Sequence, residues 1–526
     1  MYLHVSARLA FEISKPFSRL TDAHLMPTPS VHAPRLVWRC LHQLYAHRLI
    51  SAVSVGRQHV ERRAKSYHTA NMAESREFKT SILPVDVHSI GKLQSIPRPD
   101  DLLDDLDIEL DEHSPNARHL RLAAEQLKSS DIPVAFPTET VYGLGGDAQR
   151  SASVLGIYKA KQRPADNPLI VHIASLTQLR TLLRSGLRAN GVEDGPQNDP
   201  IPTIYHPLIE RFWPGPLTII VPNPRKSSLA PEVTAGLDTF GARMPRHILA
   251  LALIKLSGVP VAAPSANAST KPSPTAAEHV AYDLNGRIET ILDGDDCDIG
   301  VESTVVDGLS QPPLILRPGG ISIEQLRTCP GWEDTQVGYK NVAEIGSQPK
   351  APGMKYRHYS PKAPVILFEH GTAPPDLGQM REYVRQHARL GIITTRRWRI
   401  DARARPEPIT HQPQHEIFTD SETNKSSRKT LPGFAGLLQD LQNARPPRQA
   451  LQMNTITIET QQVDLLDIPL GSDTSNIARG TFSALRELDR ANVDAIFVEG
   501  IDDAEGDLAA AVMNRLRKAA EVNISS

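Results

Sequence analysis

From residue 133 onward the chain alternates short runs of β-branched and other apolar residues with stretches of helical periodicity. This alternation favours an α/β fold, in which the strands form a largely buried sheet covered by helices. The stretch from His247 to Ser257 is apolar on nearly every side, which predicts a buried helix. Strands are predicted at 133–136, 169–173, 217–221, 259–263, 303–306 and 314–316.

A second α/β pattern follows a stretch of low periodicity at 330–361. Because 526 residues exceed what one hydrophobic core usually supports, at least two domains are expected. A surface insertion is predicted at 187–202 and a polar, disordered insertion at 399–428. The second pattern predicts strands at 365–368, 390–393 and 496–498, and helices with apolar stripes at Ala478, Phe482 and Leu485 and at Leu508, Val512 and Leu516.

The first 71 residues carry ten Lys or Arg against three acidic residues, with serines and histidines scattered among them. This bias is typical of a mitochondrial presequence. An upstream extension of the coding sequence, with Met72 as the working start, explains it equally well, and both interpretations stay open. In either case the segment is expected to be disordered.

Composition narrows the class of protein. The net charge of -2 and the pI near 6.8 argue against a global field that captures nucleic acid, while a local basic pocket stays compatible with them. Cys40, Cys297 and Cys329 are far apart and form no CxxC pair. A disulfide framework or a zinc site is therefore not expected, and a reducing compartment fits better. The longest apolar run, 248–256, contains Lys255 and is too short to span a membrane.

A polar string follows the first predicted strand. Thr138, Glu139 and Thr140 precede a glycine-rich segment at 143–146, which is predicted to be a turn. Glycines let backbone N–H groups approach a ligand, and hydroxyls at a strand end point into a crevice. A plain strand-to-helix turn explains the string as well, because the glycines match neither the Rossmann nor the Walker spacing.

Three cations, Lys159, Lys161 and Arg163, crowd the end of a short helix. Lys161 and Arg163 could both reach one anion if the backbone between them is extended, since Lys offers a mobile charge and Arg a planar fork. A solvated basic helix end, favoured by the helix dipole, is the alternative interpretation.

Further candidates stand at the ends of later strands. Arg243 lies between small residues and a proline, where it either binds a carboxylate or forms an internal salt bridge. Ser265 and Asn267 follow an apolar strand, and they either line a polar pocket or form a capping turn. Ser303 and Arg317 again place a hydroxyl and an arginine at strand ends.

Together these strings resemble the threonylcarbamoyl-AMP synthase family in its two-domain form. The resemblance covers nearly all of the chain after residue 72. Its most specific parts are FPTETVYGLG at 136–145, PGMKYRHY at 352–359 and the tetrad Lys161, Arg163, Ser265 and Asn267.

The resemblance implies an α/β architecture in four segments. Residues 1–71 are the basic extension, and residues 112–329 form a YrdC-like domain with a twisted, mostly buried sheet flanked by helices. A flap-like linker at 330–363 joins it to a smaller, Rossmann-like Sua5 domain at 364–522. In this interpretation the linker closes over ATP and protects a labile adenylate from water.

Enzymes of this family combine L-threonine, bicarbonate and ATP into threonylcarbamoyl-adenylate and pyrophosphate. Their product serves the N6-threonylcarbamoyladenosine modification of tRNA beside the anticodon. The resemblance implies the same nucleotidyltransferase here, with ATP as a substrate and Mg²⁺ on its phosphates, and it assigns no metal ligand in the protein. It further implies delivery to the tRNA threonylcarbamoyl-transfer machinery, weak or indirect RNA contact, no membrane contact and a cytoplasmic location, with a mitochondrial pool if 1–71 is translated.

Residue roles follow from motif positions in the family. His172 shares a strand face with Ile170, and by itself it would be interpreted as a core histidine. Lys161 is expected to face the phosphates as a member of the catalytic tetrad Lys161, Arg163, Ser265 and Asn267. The resemblance implies contacts to L-threonine from Thr140, His172, Arg243, Ser265 and Ser303, and contacts to ATP from Arg163, Asn167, Thr239, Asn267, Thr275, Arg317 and Tyr356.

The implied mechanism needs no protein nucleophile. A carbamate formed from threonine and bicarbonate attacks the α-phosphorus of ATP, and catalysis rests on positioning and on preorganised cations. Two alternatives remain: a related carbamoyl-transferring maturation protein, whose acylphosphatase module and zinc-finger cysteines this sequence lacks, and a non-catalytic RNA-binding module of YrdC type. The near-neutral charge and the absence of interleaved aromatic residues argue against the second.

Overall fold

The structure is a computed structural model. The described residues between 78 and 525 belong to one structural unit. We call residues 78–339 the N-terminal lobe and residues 358–525 the C-terminal lobe. The extension 1–71, the insertion at 399–428 and most of the insertion at 187–202 lie outside the described residues. The predicted disorder of the first two and the predicted surface position of the third therefore stay predictions. The structure describes residues 78–163, 167–184, 199–339, 358–385, 388–398, 433–440 and 450–525.

The N-terminal lobe is organised around one large mixed sheet. Its described strands are β1 (Ser81–Pro84), β2 (Gly91–Ile96), β3 (Asp105–Leu110), β4 (Val134–Phe136), β5 (Gly143–Asp147), β6 (Ile170–His172), β7 (Leu217–Pro222), β8 (Thr239–Arg243), β9 (Val261–Ala262), β10 (Thr290–Asp293), β11 (Thr304–Asp307), β12 (Leu314–Arg317) and β13 (Gln336–Val337). Eleven of them form the sheet in the order β1-β10-β4-β5-β9-β6-β8-β7-β11-β12-β13, and β2 and β3 form a separate antiparallel hairpin. All six strands predicted for this region are confirmed.

Helices cover this sheet. Helix α1 begins after Ser114, whose hydroxyl accepts a hydrogen bond from the backbone N–H of Ala117, and it buries Leu120, Ala123, Ala124 and Leu127. Helix α6 is buried on nearly all sides, which confirms the prediction for 247–257. The described helices of this lobe are α1 (Pro115–Ser129), α2 (Ser151–Lys161), α3 (Leu176–Arg184), α4 (His206–Phe212), α5 (Pro231–Thr234), α6 (Ile248–Ser257), α7 (Ala277–Leu284) and α8 (Ile323–Arg327).

The glycine-rich segment was predicted as a turn, and this prediction is wrong for 143–147. These residues form strand β5, which pairs antiparallel with β4 and with β9. A Cβ atom on Gly145 would lie 2.7 Å from the ring of Phe136 and 2.7 Å from Val261 Cγ1. The glycine is thus required by close packing on a neighbouring ring, a demand that local sequence does not distinguish from a turn.

The N-terminal lobe extends beyond the predicted 112–329 at both ends. Strand β1 pairs in parallel with β10, so residues before 112 belong to the same sheet. At the other end β13 pairs with β12, so the beginning of the predicted linker also belongs to this lobe. Residues 340–357 of the predicted linker lie outside the described residues, and 358–363 belong to the C-terminal lobe.

The C-terminal lobe has a smaller sheet of six strands in the order β16-β17-β15-β18-β14-β19, parallel except for β16. These are β14 (Val365–Phe368), β15 (Arg389–Thr394), β16 (Gln452–Ile458), β17 (Gln461–Pro469), β18 (Ala495–Glu499) and β19 (Val522–Ile524). Its described helices are α9 (Leu377–Arg381), α10 (Gly433–Asp440), α11 (Thr474–Arg490) and α12 (Asp507–Ala519). The predicted α/β fold with a second, smaller α/β sheet is therefore confirmed.

Apolar contacts cross between the two lobes. Phe434 and Leu437 on α10 belong to the main core of the N-terminal lobe. Conversely, Val141 and Val301 of the N-terminal lobe join the core around Phe482 on α11. The lobes therefore share hydrophobic cores, and residues of each are fixed by residues of the other.

Candidate active site

A small cavity of about 50 Å³ lies over the face of the large sheet that presents Ile170 and His172. His172, Arg243 and Arg317 are the last residues of β6, β8 and β12. Ser265 reaches the same cavity from the loop after β9. The polar side chains that line the cavity are Thr138, Thr140, Arg163, His172, Arg243, Ser265, Glu302, Ser303, Arg317, His358 and Tyr359.

One wall of the cavity is a hydrogen-bonded group around Arg243. Its Nη2 donates to Glu139 Oε1 at 2.7 Å and to Thr140 Oγ1 at 3.0 Å, and its Nε donates to the carbonyl of Gly215 at 3.3 Å. Both members of the Arg243–Glu139 pair are buried. The alternatives left open for Arg243 are thus combined, because it forms an internal salt bridge and also borders the cavity.

His172 stands beside Arg243 with a neutral imidazole. Burial, aided by the positive charge of Arg243, lowers the pKa of His172 to about 3. The backbone carbonyl of Ile170 can only accept, so His172 Nδ1, 3.2 Å away, carries the hydrogen. The ring packs edge-on against Phe136. A neutral imidazole suits a hydroxyl group of a ligand better than a carboxylate.

Ser303 and Arg317 form the wall across from β6. Arg317 donates to the Ser303 carbonyl from Nε at 3.0 Å and from Nη2 at 2.9 Å, and to the Ser303 hydroxyl at 3.0 Å. That hydroxyl also lies 2.8 Å from Thr218 Oγ1. Burial lowers the pKa of Arg317 to about 10, so the guanidinium stays charged at neutral pH.

Lys161 differs from its predicted position facing the phosphates. Its Nζ donates to the carbonyls of Ser265 and Asn267 and to Asn267 Oδ1, and it is almost completely buried. Three oxygens of one loop therefore surround the ammonium, although burial lowers the pKa of Lys161 well below its usual value. Lys161 therefore stabilises the loop that carries Ser265 and Asn267, and it does not line the cavity.

Backbone geometry explains why Lys161 and Arg163 separate. Helix α2 ends at Lys161, and Gln162 adopts a left-handed conformation with φ of 52°. The N–H of Arg163 then bonds back to the Tyr158 carbonyl, as at many helix ends. The backbone is not extended there, so Lys161 points under the loop while Arg163 lines the cavity.

Asn267 is also a part of the loop rather than of the cavity wall. Its amide nitrogen donates to the carbonyls of Ala268 and Lys271 at 2.8 Å each. Its Oδ1 accepts from the Ser265 hydroxyl at 2.5 Å. Of the tetrad, the structure therefore brings Arg163 and Ser265 to the cavity, and it places Lys161 and Asn267 behind Ser265.

The other predicted ATP contacts are dispersed. Asn167 is buried, and its Oδ1 has no hydrogen-bond partner in the described part of the chain. Thr239 begins β8, four residues before Arg243, roughly 13 Å away along an extended strand. Tyr356 lies outside the described residues.

Thr275 lines a different and larger cavity, of about 250 Å³, between the lobes. Its hydroxyl lies 3.5 Å from His279 Nδ1. The size of this second cavity does not make it the better candidate, because the buried arginines and the neutral histidine converge on the smaller one.

Four polar residues of the cavity were not assigned as site residues from the sequence. Thr138 begins the polar string at 138–140, Glu302 precedes Ser303, and His358 and Tyr359 end the PGMKYRHY string. Tyr359 is buried and stacks on Phe482 of α11, with ring centroids 5.1 Å apart. His358 Nδ1 is buried without a hydrogen-bond partner among the described residues. Only the sequence string at 352–359 signalled the last two.

The described residues contain neither a cluster of metal-binding side chains nor a membrane-spanning helix. No group of three or more His, Cys, Asp or Glu side chains is close enough to hold a metal ion in these parts of the chain. The helices in these same ranges include none that is long and apolar enough to cross a membrane.

Comparison with known proteins decides the family. A family model described as telomere recombination, for Sua5, YciO and YrdC proteins, matches residues 126–319. A model described as the C-terminal domain of threonylcarbamoyl-AMP synthase matches residues 321–521. A threonylcarbamoyl-AMP synthase of Schizosaccharomyces pombe is 43% identical over 418 residues, which cover 77% of this chain and 88% of that protein. This chain belongs to the threonylcarbamoyl-AMP synthase family.

Bacterial and archaeal members of the threonylcarbamoyl-AMP synthase family are similar over the same length. The synthase of Bacillus subtilis is 38% identical over 410 residues, covering 78% of this chain and 95% of that protein. The crystal structure of Pyrococcus abyssi Sua5 complexed with L-threonine is 33% identical, with a TM-score of 0.57 over 85% of this chain and 100% of that one. The resemblance found in the sequence is confirmed, and the chain is an enzyme of nucleotidyltransferase type.

Proposed function

We propose that this chain forms L-threonylcarbamoyl-AMP and pyrophosphate from L-threonine, bicarbonate and ATP. The observation that carries the proposal is the cavity in which Arg163, Arg243 and Arg317 converge with the neutral imidazole of His172. Three cations suit a carboxylate and a triphosphate. The neutral imidazole and the nearby hydroxyls suit the hydroxyl group of threonine.

The threonine side is assigned to the wall around β6 and β8. Thr140, His172 and Arg243 lie together there, and Arg243 is held by Glu139 and Thr140 before any ligand arrives. Such preorganisation reduces the entropy lost on binding. That a solved relative is described as complexed with L-threonine supports this side of the proposal.

The chemistry then needs two steps that balance. The threonine amine and bicarbonate combine to a carbamate with loss of water. A carbamate oxygen attacks the α-phosphorus of ATP, a new O–P bond forms, and the bond from the α-phosphorus to the bridging oxygen breaks to release pyrophosphate. Negative charge spreads over the phosphoryl oxygens, where the fixed charges of Arg163 and Arg317 stabilise it.

Among the described residues, no group of three or more His, Cys, Asp or Glu side chains could hold a metal ion. We therefore assign no step to a metal held by the protein, and we expect Mg²⁺ to arrive bound to the ATP phosphates. The product is a mixed anhydride, and we propose that the tRNA threonylcarbamoyl-transfer machinery consumes it. The cytoplasmic location and the mitochondrial pool stay predictions.

The test is release of pyrophosphate from ATP by the purified full-length chain. We expect release only when L-threonine and bicarbonate are both present, together with a product of the mass of threonylcarbamoyl-AMP. L-valine is the matched control, because it replaces the threonine hydroxyl by a methyl group. A site that bonds this hydroxyl should turn valine over at least tenfold less efficiently.

Two outcomes would contradict the proposal. Pyrophosphate release that does not depend on threonine or bicarbonate would indicate another nucleotidyl transfer. Binding of tRNA without any pyrophosphate release would favour the RNA-binding alternative.

A further inference from the structure

Glu302 is a buried carboxylate in the wall of the cavity. Its Oε1 accepts from the Ser273 hydroxyl at 2.6 Å, and its Oε2 accepts from Arg515 Nε at 3.0 Å. Burial raises the pKa of this carboxyl, but the charges of Arg515 and Arg317 outweigh burial and lower its pKa to about 2. A full negative charge therefore stands in the wall of a site that has to bind anions.

Arg515 reaches this wall from the C-terminal lobe. It lies on α12 and is 1% exposed. Besides Glu302, it binds the Pro318 carbonyl through Nη1 at 2.8 Å. Glu302 directly precedes Ser303, and Pro318 directly follows Arg317. One side chain of the second lobe thus holds the chain on both sides of the Ser303–Arg317 pair.

A second arginine of the C-terminal lobe bonds to the segment that carries Ser273, the hydroxyl partner of Glu302. Arg486 on α11 donates through Nη2 to Asp283 Oδ2 at 2.8 Å and to the Pro272 carbonyl. Its Nε donates to the Ser273 carbonyl at 3.4 Å. Two of the groups that hold the Glu302 carboxylate therefore depend on the C-terminal lobe: Arg515 belongs to it, and Ser273 is bonded by it.

Arg517 shows what an arginine of α12 does when it serves its own lobe. It lies two residues after Arg515 and pairs with Glu369 at 2.8 Å and with Asp503 at 2.7 Å, both in the C-terminal lobe. It is also partly exposed, in contrast to Arg515. The buried position of Arg515 against Glu302 is therefore a property of that one residue and not of the helix.

We propose that Arg515 is a positioning residue for the reaction. It holds the Glu302 carboxylate away from Arg317, so that the Arg317 guanidinium binds anionic substrate groups instead of pairing with Glu302. Glu302 and Arg317 line the same cavity, and Arg317 bonds to the carbonyl of Ser303, the residue directly after Glu302. The charge of Arg317 also lowers the pKa of Glu302. A buried carboxylate that loses its partner is costly and turns to the nearest remaining cation. The inference rests on the proposed function and gives the C-terminal lobe a part in it.

The test compares three variants of the full-length chain: Arg515→Met, Arg517→Met, and Arg515→Met combined with Glu302→Gln. Affinity for ATP is measured by calorimetry without threonine, and kcat/KM is measured by pyrophosphate release with threonine and bicarbonate. We expect Arg515→Met to weaken both at least tenfold and Arg517→Met to stay within twofold of the wild-type chain. The double variant should regain at least fivefold over Arg515→Met, because a neutral amide no longer competes for Arg317.

The proposal is overturned if Arg515→Met binds ATP within twofold of the wild type, or if the double variant is no better than the single one, as a merely structural bond requires. Should Arg515→Met fail to fold, Glu302→Gln alone decides: retained or tighter ATP binding supports the proposal, and a tenfold loss overturns it. A wild-type chain that binds ATP without threonine-dependent pyrophosphate release would refute the proposed function, while the affinities would still test Arg515. Absence of ATP binding by the wild type would overturn both.

Discussion

Strands of both sheets end in polar residues, but the polar groups have different partners in the two lobes. In the N-terminal lobe, His172, Arg243 and Arg317 end their strands at a cavity. In the C-terminal lobe, the Glu499 carboxylate ends β18 and accepts from the backbone N–H groups after β15. The donors are Thr395 and Arg397, at 2.6 Å each, and Trp398 at 3.2 Å.

The cavity of the N-terminal lobe is a candidate anion site for a ligand, whereas the corresponding site of the C-terminal lobe is occupied by a carboxylate of the protein. A cluster of backbone N–H groups at a strand end is a usual place for an anion, and in the second lobe Glu499 is that anion. We therefore assign the reaction to the first lobe, and we assign to the second lobe a supporting part that acts through helices α11 and α12.

The largest expected effects separate the two cations that share a sequence motif. Lys161→Ala leaves the buried carbonyls of Ser265 and Asn267 without the ammonium that donates to them and removes one of the two donors to Asn267 Oδ1. The free energy of unfolding should therefore fall by roughly 3 kcal/mol. Arg163→Ala should change stability little but lower kcat/KM at least about 100-fold, because it removes a charge from the cavity wall. Denaturant unfolding and the pyrophosphate assay measure the two effects.

Lys159→Ala is the matched control, since Lys159 is exposed on the last turn of the same helix. It should leave both quantities near wild type. If Lys161→Ala kept full stability and lost activity as Arg163→Ala does, Lys161 would face the substrate after all. Near-normal turnover in both variants would refute the assignment of this cavity.

The next effect is a pH dependence of the free energy of unfolding, caused by His172 at the end of β6. The folded-state pKa of His172 is about 3, below its usual 6.5, so the unfolded chain takes up its proton first as the pH falls. The contribution of His172 to stability is therefore complete above pH 6.5 and is lost as the pH falls from 6.5 to 3. From pH 7 to pH 5 the loss should be roughly 2 kcal/mol for this residue.

Unfolding free energies at pH 7 and pH 5 test this, with His172→Gln as the comparison. The variant should be less sensitive to acid than the wild type by about that amount. Equal sensitivity in the two proteins would mean that His172 is not kept neutral by the fold.

The smallest effect concerns Glu499 at the end of β18, whose carboxylate accepts from the backbone N–H groups after β15. Glu499→Gln replaces an acceptor-only group by an amide whose nitrogen opposes the backbone donors, which should cost about 1–3 kcal/mol of stability. Activity should stay within twofold of wild type. Glu505→Gln, at a more exposed pair with Arg396, is the control and should change stability by less than about 1 kcal/mol. A tenfold loss of kcat/KM in Glu499→Gln would break the comparison, because the second sheet end would then take part in the reaction.

Much of the fold followed from patterns that are local in sequence. The buried helix at 248–257 and the core strands β6, β7 and β14 were predicted because runs of apolar residues report burial directly. Strands β5 and β8 were not predicted. In β5, Gly145 is required because the ring of Phe136 on the neighbouring strand leaves no space for a Cβ atom. This contact cannot be predicted from the local sequence.

The site was predicted in the same uneven way. Arg163, His172, Arg243, Ser303 and Arg317 were expected at a ligand site and do line the cavity. The residues themselves indicated polar groups at strand ends, and the family resemblance supplied their ligands. The separate positions of Lys161 and Arg163 depend on one left-handed residue, Gln162, which the motif does not reveal.

The sequence alone was enough to predict an α/β fold in two parts, a resemblance to the threonylcarbamoyl-AMP synthase family, and the motifs that are candidates for its active site. The fold followed from apolar periodicity, and the resemblance followed from short strings of residues, both of which are local in the chain. The tertiary structure was needed to show which members of the motifs face the cavity and that Arg515 meets Glu302. The reason is that these two residues lie 213 positions apart, so their pairing exists only after the second lobe has packed on the first.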